Sequence, residues 1–173
     1  IKGYQTVATG SFIKELTGVN IPNGIFIMIA MMAVASFLLN KTILGRYSFA
    51  IGSNEEAARL SGVNVIKWKI ISYALCGMMS GFAAWFMTAR LNAAQPSTGA
   101  GYEMDAIAAC IIGGASMSGG EGSVSGTIIG AFIMSVLING LRIMSVPSEW
   151  QTVVTGAVVI FAVYVDMLRR KKQ

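Results

Sequence analysis

The chain has 173 residues, of which 54% are apolar and only 12% are charged, with a formal net charge of +5 and no histidine. This composition is typical of a membrane protein rather than a soluble domain, and it leaves no histidine for catalysis or for a metal site. The Lys and Arg residues lie beside apolar runs rather than on an aromatic-interleaved face, which argues against nucleic-acid binding.

The first predicted element is a membrane span that follows a mildly polar start. Ile1–Asn20 has neither an initiating Met nor the regions of a signal peptide. Pro22 then marks the entry to Gly24–Leu39, an uncharged apolar run near the lower length limit for crossing a bilayer. We predict a span here that extends to Leu44 if the Lys41 side chain snorkels.

Residues 40–69 form a polar stretch, which we interpret as a loop that contains one short helix. Ser53 and Glu56 have the S-x-x-E spacing of a capping box, in which the Ser oxygen accepts a hydrogen bond from the helix start. Gly62 can adopt the left-handed conformation that closes a helix. The spacing therefore predicts a two-turn helix from Glu55 to Ser61.

This short helix has two interpretations. Ala57, Ala58 and Leu60 would give it a small, flat surface, which suits a docking element for a soluble partner. The alternative is an ordinary solvated loop helix. The stretch ends in Lys67-Trp68-Lys69. A Trp between two cations is typical of the aromatic belt at a membrane surface.

The second predicted span is Ile70–Ala89. Gly77 and Gly81 have the G-x-x-x-G spacing that allows close helix packing in lipid. Cys76 in this span and Cys110 further on each lie singly within an apolar run. They indicate neither a metal site nor a redox motif, and we expect both to be buried bystanders.

Glu103–Ser118 is the most unusual stretch, because its apolar core is too short to cross a bilayer. Glu103 and Asp105 stand at its start, and Gly113-Gly114 and Gly119-Gly120 interrupt its end. Broken helices are tolerated at membrane depth only where protein or a water-lined cavity covers them. We therefore predict a short, broken or re-entrant helix that lines a pathway. The alternative is a short, well-packed helix whose acids only stabilise its start.

The last two predicted spans are Val124–Ile143 and Trp150–Leu168, which brings the predicted membrane-traversing segments to five. Gly126, Gly130 and Gly140 are spaced for close packing, and Asn139 either bridges helices or contacts a substrate. If Glu103–Ser118 counts as one crossing, residues 40–69 and the basic tail 169–172 lie on the same side. Together they hold nine of the thirteen Lys and Arg residues, which predicts that this side, with the C-terminus, is the cytoplasm.

Several motifs resemble one known family. Glu56-Ala57-Ala58 followed at a distance by Gly62 resembles the coupling loop of ABC-transporter permeases, and its flanks are similar to the ribose and xylose type importers. Further blocks agree in order: Gly101 to Ala109 (GYEMDAIAA), Ile112 to Ser116 (IGGAS), Gly119 to Gly122 (GGEG) and Gly126 to Ala131 (GTIIGA). The resemblance covers residue 22 to the end of the chain. No Leu-Pro follows the loop, unlike in the maltose-type permeases.

The resemblance implies an all-α, polytopic transmembrane helical bundle with a short broken or re-entrant helix and a cytoplasmic coupling helix. It implies that residues 1–173 are a single permease domain, the C-terminal part of a longer permease, with 40–69 as its coupling loop. The expected location is the bacterial inner membrane. The expected partners are a cytoplasmic ATPase, an extracytoplasmic sugar-binding protein, a second permease subunit in a homodimer and the lipid bilayer.

We expect no catalysis in this chain, no metal and no bound cofactor, with ATP and Mg²⁺ held by the ATPase. The residues expected to couple to the ATPase are Ser53, Asn54, Glu55, Glu56, Ala57, Ala58, Arg59, Leu60 and Gly62. Those expected to line the pathway are Glu103, Asp105, Gly113, Gly114, Ser116 and Asn139. The alternative functions are a self-powered secondary transporter or channel, which usually keeps ionisable groups within its spans, and a membrane scaffold.

Overall fold

The structure is a computed structural model that describes residues 22–170 of the chain. All regular secondary structure in these residues is helical, which confirms the predicted all-α fold. The predicted polar start and the cations at 171–172 lie outside this range. The helices are α1 (Asn23–Lys41), α2 (Ile43–Ser53), α3 (Glu55–Leu60), α4 (Val65–Leu91), α5 (Tyr102–Ile112), α6 (Val124–Ile143) and α7 (Ser148–Arg170).

Four helices are long and apolar enough to cross a membrane: α1, α4, α6 and the Ser148–Leu168 part of α7. They correspond to the first, second, fourth and fifth predicted segments. Large apolar side chains remain exposed along them, for example Phe37 at 61% and Ile160 at 72%. Surfaces of this kind need lipid or further protein to cover them, as expected of a polytopic helical bundle.

The third predicted segment is short, as the sequence indicated. α5 has 11 residues; at 1.5 Å per residue it spans about 16 Å, roughly half the thickness of the hydrocarbon core. Residues 113–123 follow as a loop rather than as further helix. Gly114, the second residue of this loop, has a φ of +88°, in the left-handed region.

α5 and α6 approach each other closely at two glycines of α6. A Cβ on Gly130 would overlap the carbonyl oxygen of Ala109, and a Cβ on Gly126 would overlap that of Gly113. Ala108, Ala109 and Met134 form the buried core beside this contact. The predicted close approach is therefore confirmed at Gly126 and Gly130, whereas no described atom lies within 4 Å of a Cβ placed on Gly140.

The pair of glycines on α4 differs, since no described atom lies within 4 Å of a Cβ placed on Gly77 or Gly81. Cys76, on the same helix, is exposed within the described residues, and Cys110 on α5 is partly buried. The expectation that both cysteines are buried is thus wrong for Cys76.

The prediction that residues 40–69 form a loop with one short helix is wrong, because α2 occupies Ile43–Ser53. α1 ends at Lys41 rather than at Leu44, and Thr42 separates the two helices in an extended conformation. Gly45 lies against α1, where a Cβ would overlap the carbonyl oxygen of Leu39. This tertiary contact offsets the low intrinsic helix propensity of the glycines in α2.

α4 begins at Val65, before the predicted Ile70. The side-chain oxygen of Asn64 accepts a hydrogen bond from the Lys67 backbone N–H at 3.1 Å and so caps the helix. Lys67-Trp68-Lys69 therefore belongs to α4 and not to the loop. The Trp68 ring packs edge-on against Tyr47 of α2, with ring centroids 5.0 Å apart, which holds α2 beside the start of α4.

Three parts of the chain meet at one end of the bundle. Gly52 and Ser53, at the end of α2, lie against Gly119 and Gly120 in the loop after α5. In the same loop, the Ser116 hydroxyl donates a hydrogen bond to Asp166 Oδ2 near the end of α7, at 3.0 Å. The short helix α3 and the end of α7 therefore lie at the same end, in agreement with the predicted parity of the spans.

Candidate coupling site

The short helix α3 lies outside the predicted spans and is held at both ends. It begins one residue later than a Ser53 cap would give, because Ser53 is the last residue of α2 and Asn54 is the N-cap. The side-chain oxygen of Asn54 accepts a hydrogen bond from the Ala57 N–H at 2.9 Å. The predicted capping box at Ser53 and Glu56 is therefore wrong, although a cap at this place is confirmed.

The end of α3 has the hydrogen-bond pattern of a Schellman motif. Gly62 donates from its N–H to the Arg59 carbonyl at 3.0 Å, and Val63 donates to the Ala58 carbonyl at 3.1 Å. Gly62 has a φ of +83°, so it takes the left-handed conformation that the sequence predicted. The chain can thereby turn back toward α4 directly after the helix.

One face of α3 is seated on the rest of the chain, and the other is free. Ala58 is only 6% exposed, whereas Leu60 is 84% exposed. The prediction that Ala57, Ala58 and Leu60 form one surface is therefore wrong for Ala58, which packs inward. Ala57, Glu56 and Arg59 are exposed with Leu60 and make up the outer face of α3.

The charges of α3 suit its position in the chain. Glu55 and Glu56 lie in the first turn, where acids interact favourably with the helix dipole, and Arg59 lies in the last turn. Lys69 of α4 forms an ion pair with Glu55 at 2.6 Å, with both side chains about half exposed. Exposed pairs of this kind contribute about 0–1 kcal/mol, so the pair orients α3 without holding it firmly.

The predicted pathway residues fall at the two ends of α5 and on α6. Glu103 is exposed and Asp105 partly exposed in the first turn of α5, which has no side-chain cap. Gly114 and Ser116 follow the other end of α5. They lie near an open cavity of about 480 Å³ between α5, α6 and α7, which Gly114, Glu121 and Asp166 help to line.

Two further predicted pathway residues have different surroundings. Gly113 places its backbone against Gly126 of α6, so it serves the contact between the helices. Asn139 is exposed on α6 rather than enclosed between helices of the described part. The structure therefore does not bring the six predicted pathway residues to one place.

The contact of Gly52 with Gly119 and Gly120, and the hydrogen bond between Ser116 and Asp166, were missed by sequence reasoning. The Gly119-Gly120 pair was visible only as a break in an apolar run and as part of the GGEG block, neither of which indicates its partner. Asp166 was visible only as an acid at the end of a span. Among residues 22–170, no three acids or cysteines come together where they could hold a metal ion.

Comparisons with known proteins identify the family to which the chain belongs. Residues 2–163 match the family described as "Branched-chain amino acid transport system / permease component". The chain is 48% identical over 153 residues to the ribose import permease protein RbsC of Escherichia coli (strain K12), a match that covers 88% of this chain and 47% of the relative. No solved structure matches.

Two other relatives extend the comparison. The xylose transport system permease protein XylH of Haemophilus influenzae is 45% identical over 152 residues, covering 88% of this chain and 40% of that protein. The RbsC protein of Bacillus subtilis is 42% identical over 170 residues, covering 98% of this chain and 50% of that protein. The chain spans about half the length of these relatives, and it belongs to the branched-chain amino acid transport system / permease component family.

Proposed function

We propose that this chain is part of the membrane-spanning permease subunit of an ABC importer that carries a monosaccharide of the pentose or hexose class. The observation that carries the proposal is α3, a six-residue helix outside the spans that is fixed at both ends and presents Leu60 at 84% exposure. Similarity to ribose and xylose import permeases supports the class of cargo.

In this proposal α3 is the docking helix for a cytoplasmic ATPase. Its outer face, Glu56, Ala57, Arg59 and Leu60, enters a groove of the ATPase, while the inward Ala58 seats the helix on the permease. An exposed leucine suits this role, because complete burial of such a side chain contributes about 1.5–3 kcal/mol. The chain itself carries out no chemistry, and ATP with Mg²⁺ is bound by the ATPase.

The proposed orientation follows from the shared end of α3 and α7. If α3 meets the ATPase, this end of the bundle faces the cytoplasm of a bacterial inner membrane, and the C-terminus lies there too. Asn92–Gly101 and the start of α5 then face outward, toward a sugar-binding protein. This orientation agrees with the distribution of Lys and Arg.

The proposed pathway lies along α5, with a second copy of the permease completing it. α5 buries Ala108, Ala109 and Ile111 against α6 and α7, while Met104 and Ile107 remain exposed. Glu103 and Asp105 stand at the outer mouth, and Gly114 and Ser116 near the cytoplasmic end. Gly113 and Asn139 complete the proposed set.

A secondary transporter is the second candidate function, because Asp166 faces a cavity within the bundle. Against it, Glu103 and Asp105 lie in the first turn of α5, and Asp166 lies in the last turns of α7. Two acids at the start of a short helix and a single acid in the last turns of a span do not form a relay of ionisable groups, as ion-coupled transport usually requires. We therefore favour an ATP-driven importer.

Leu60→Asp in the full-length protein tests the docking role. The variant removes the largest exposed apolar contact of α3 without touching its caps. We expect about 2 kcal/mol of lost binding, which corresponds to roughly 30-fold weaker capture of the ATPase. Ile143→Asp is the matched control. Ile143 is also 84% exposed, but it is the last residue of α6 and lies at the end of the bundle away from α3. Undiminished capture of the ATPase by Leu60→Asp would refute the docking role.

Asp105→Asn tests the pathway. The substitution keeps the size and shape of the side chain and removes its charge, so we expect slower sugar uptake at unchanged protein abundance. The measurement is initial uptake rate normalised to the amount of permease in the membrane. Unchanged uptake at normal abundance would instead assign Asp105 to the stabilisation of the α5 start, by its favourable interaction with the helix dipole.

A further inference from the structure

The end of α2 and the loop after α5 touch through backbone atoms, with no side chain between them. A Cβ placed on Gly52 would lie 2.6 Å from the backbone nitrogen of Gly120, and one on Gly119 would lie 2.6 Å from the Gly52 carbonyl oxygen. A Cβ on Gly120 would lie 3.0 Å from both Cα and Cβ of Ser53. We call the approach of Gly52 to Gly119 and Gly120 the glycine contact.

The loop on the far side of the glycine contact is closed by its own hydrogen bonds. The Ser116 N–H donates to the Glu121 carbonyl at 3.1 Å, and the Gly119 N–H donates to the Ser116 carbonyl at 3.1 Å. The Ser116 hydroxyl donates to Asp166 Oδ2 at 3.0 Å, which ties the loop to α7. The loop is therefore tied to α7 by this hydrogen bond and to α5 by the residues that precede Ser116.

The other connection of α3 to the bundle is softer. α3 joins α4 through residues 61–64 and through the half-exposed pair of Glu55 and Lys69. Such a pair is worth about 0–1 kcal/mol and rearranges easily. Asn54 alone, by contrast, separates the start of α3 from Ser53, which lies against Gly120.

We propose that Gly52, Gly119 and Gly120 are positioning residues for transport: they carry the displacement of α3 to α5 and α7 as a rigid contact that persists through the cycle. The inference rests on the proposed function, since it requires an ATPase that moves α3. Close-packed atoms transmit a displacement because they have little room to compress. Glycine is required at Gly52 and Gly119, because a Cβ on either residue would lie 2.6 Å from a backbone atom on the other side of the contact.

Gly52→Ala is the first test. Alanine is a better helix former than glycine, so α2 itself is not weakened. Its Cβ would meet the Gly120 backbone, which must shift. Gly140→Ala is the matched control, because Gly140 is also helical and no described atom lies within 4 Å of its Cβ position.

For Gly52→Ala we expect the ATPase to co-purify at the wild-type ratio. Sugar uptake and the stimulation of ATP hydrolysis by the loaded binding protein should both fall by about 5-fold or more. Basal ATP hydrolysis should stay unchanged, a result that a loss of folded protein would not give. Wild-type uptake by Gly52→Ala would overturn the proposal, and so would loss of the ATPase from this variant.

A disulfide between Ser53→Cys and Gly120→Cys is the second test, made with Cys76, Cys110 and any other native cysteine replaced by alanine. The Cβ positions lie 3.0 Å apart, so a shift of about 0.5 Å brings them into the disulfide range. Gly120 has a φ of +81°, and the backbone cost of a side chain there is common to the oxidised and reduced forms, which are therefore compared with each other. We expect the bond to form and the oxidised protein to transport at the rate of its reduced form.

Two results of the second test would overturn the proposal. If the oxidised protein is inactive and a reducing agent restores uptake, the glycine contact opens during the cycle. If no disulfide forms under an added oxidant, the two backbones are not in contact. Failure of the proposed function is seen separately, as undiminished ATPase capture by Leu60→Asp, and does not depend on either result.

Discussion

Substitution of Gly62 gives a graded test of how α3 is held. Gly62 has a φ of +83°, and no described atom lies within 4 Å of its Cβ position. The cost of a side chain there is therefore a backbone cost, without steric overlap. Asn tolerates the left-handed conformation, Ala loses about 1–2 kcal/mol in it, and a β-branched Val loses up to about 3 kcal/mol.

This cost falls on α3 itself, because a helix of six residues has no stability of its own. Loss of the Gly62 turn also removes the hydrogen bonds to the Arg59 and Ala58 carbonyls. A penalty of about 1–2 kcal/mol on the docking conformation weakens ATPase binding by roughly 5- to 30-fold. The expected order of affinity is wild type, Gly62→Asn, Gly62→Ala and then Gly62→Val.

The assay is a titration of the purified ATPase against full-length permease variants in detergent, with membrane abundance measured beside it. Abundance should stay near the wild-type level for all three variants, because α3 lies outside the spans. Equal affinity of the Val and Asn variants would refute the reasoning, since it would mean that the left-handed turn at Gly62 does not hold the docking helix.

Two further predictions concern the start of α3 and the contact between α5 and α6. Asn54→Ala removes the helix cap and should weaken ATPase binding by about 1 kcal/mol, whereas Ser53→Ala should have almost no effect. A larger loss for Ser53→Ala than for Asn54→Ala in the same titration would show that Ser53 is the cap. Gly130→Ala should lower the thermal stability of the purified protein by about 1–3 kcal/mol, because its Cβ would overlap the Ala109 carbonyl, while Gly140→Ala should not. Equal melting temperatures for these two variants would contradict the close approach of α5 and α6.

The long apolar helices could be predicted from the sequence, because length and hydropathy alone define a span. α6 was predicted at its observed bounds, Val124–Ile143, and its start is fixed by the Ser123 hydroxyl, which accepts a hydrogen bond from the Gly126 N–H. The turn at Gly62 was predictable too, since few other residues suit a positive φ.

The features that could not be predicted from the sequence depend on contacts between distant residues. α2 contains two glycines and several polar residues, so its local pattern resembled a loop until packing against α1 and α4 was known. Six residues are too few for a periodicity that would orient α3, and the burial of Ala58 could not be foreseen. Ser53 and Asn54 are adjacent, and both residue types are common helix caps. Because Ser53 is the last residue of α2, Asn54 is the residue that caps α3.

The candidate site was predictable in its place but not in its connections. The short helix that we propose as the docking element was predicted from Glu56, Ala57 and Gly62, which lie within a few residues of one another. The glycine contact joins residues that are more than 60 positions apart in the chain. A single sequence carries no signal for such a pairing, since glycine has no side chain whose character could mark its partner.

Uptake into proteoliposomes tests the central claim most directly. The full-length permease, its ATPase and its sugar-binding protein would be reconstituted, and uptake of labelled ribose and xylose measured with and without ATP on the ATPase side. We predict uptake of at least one sugar that requires both ATP and the binding protein and is insensitive to collapse of the proton gradient. Uptake without ATP that stops when an ion gradient is collapsed would contradict the account and indicate a secondary transporter.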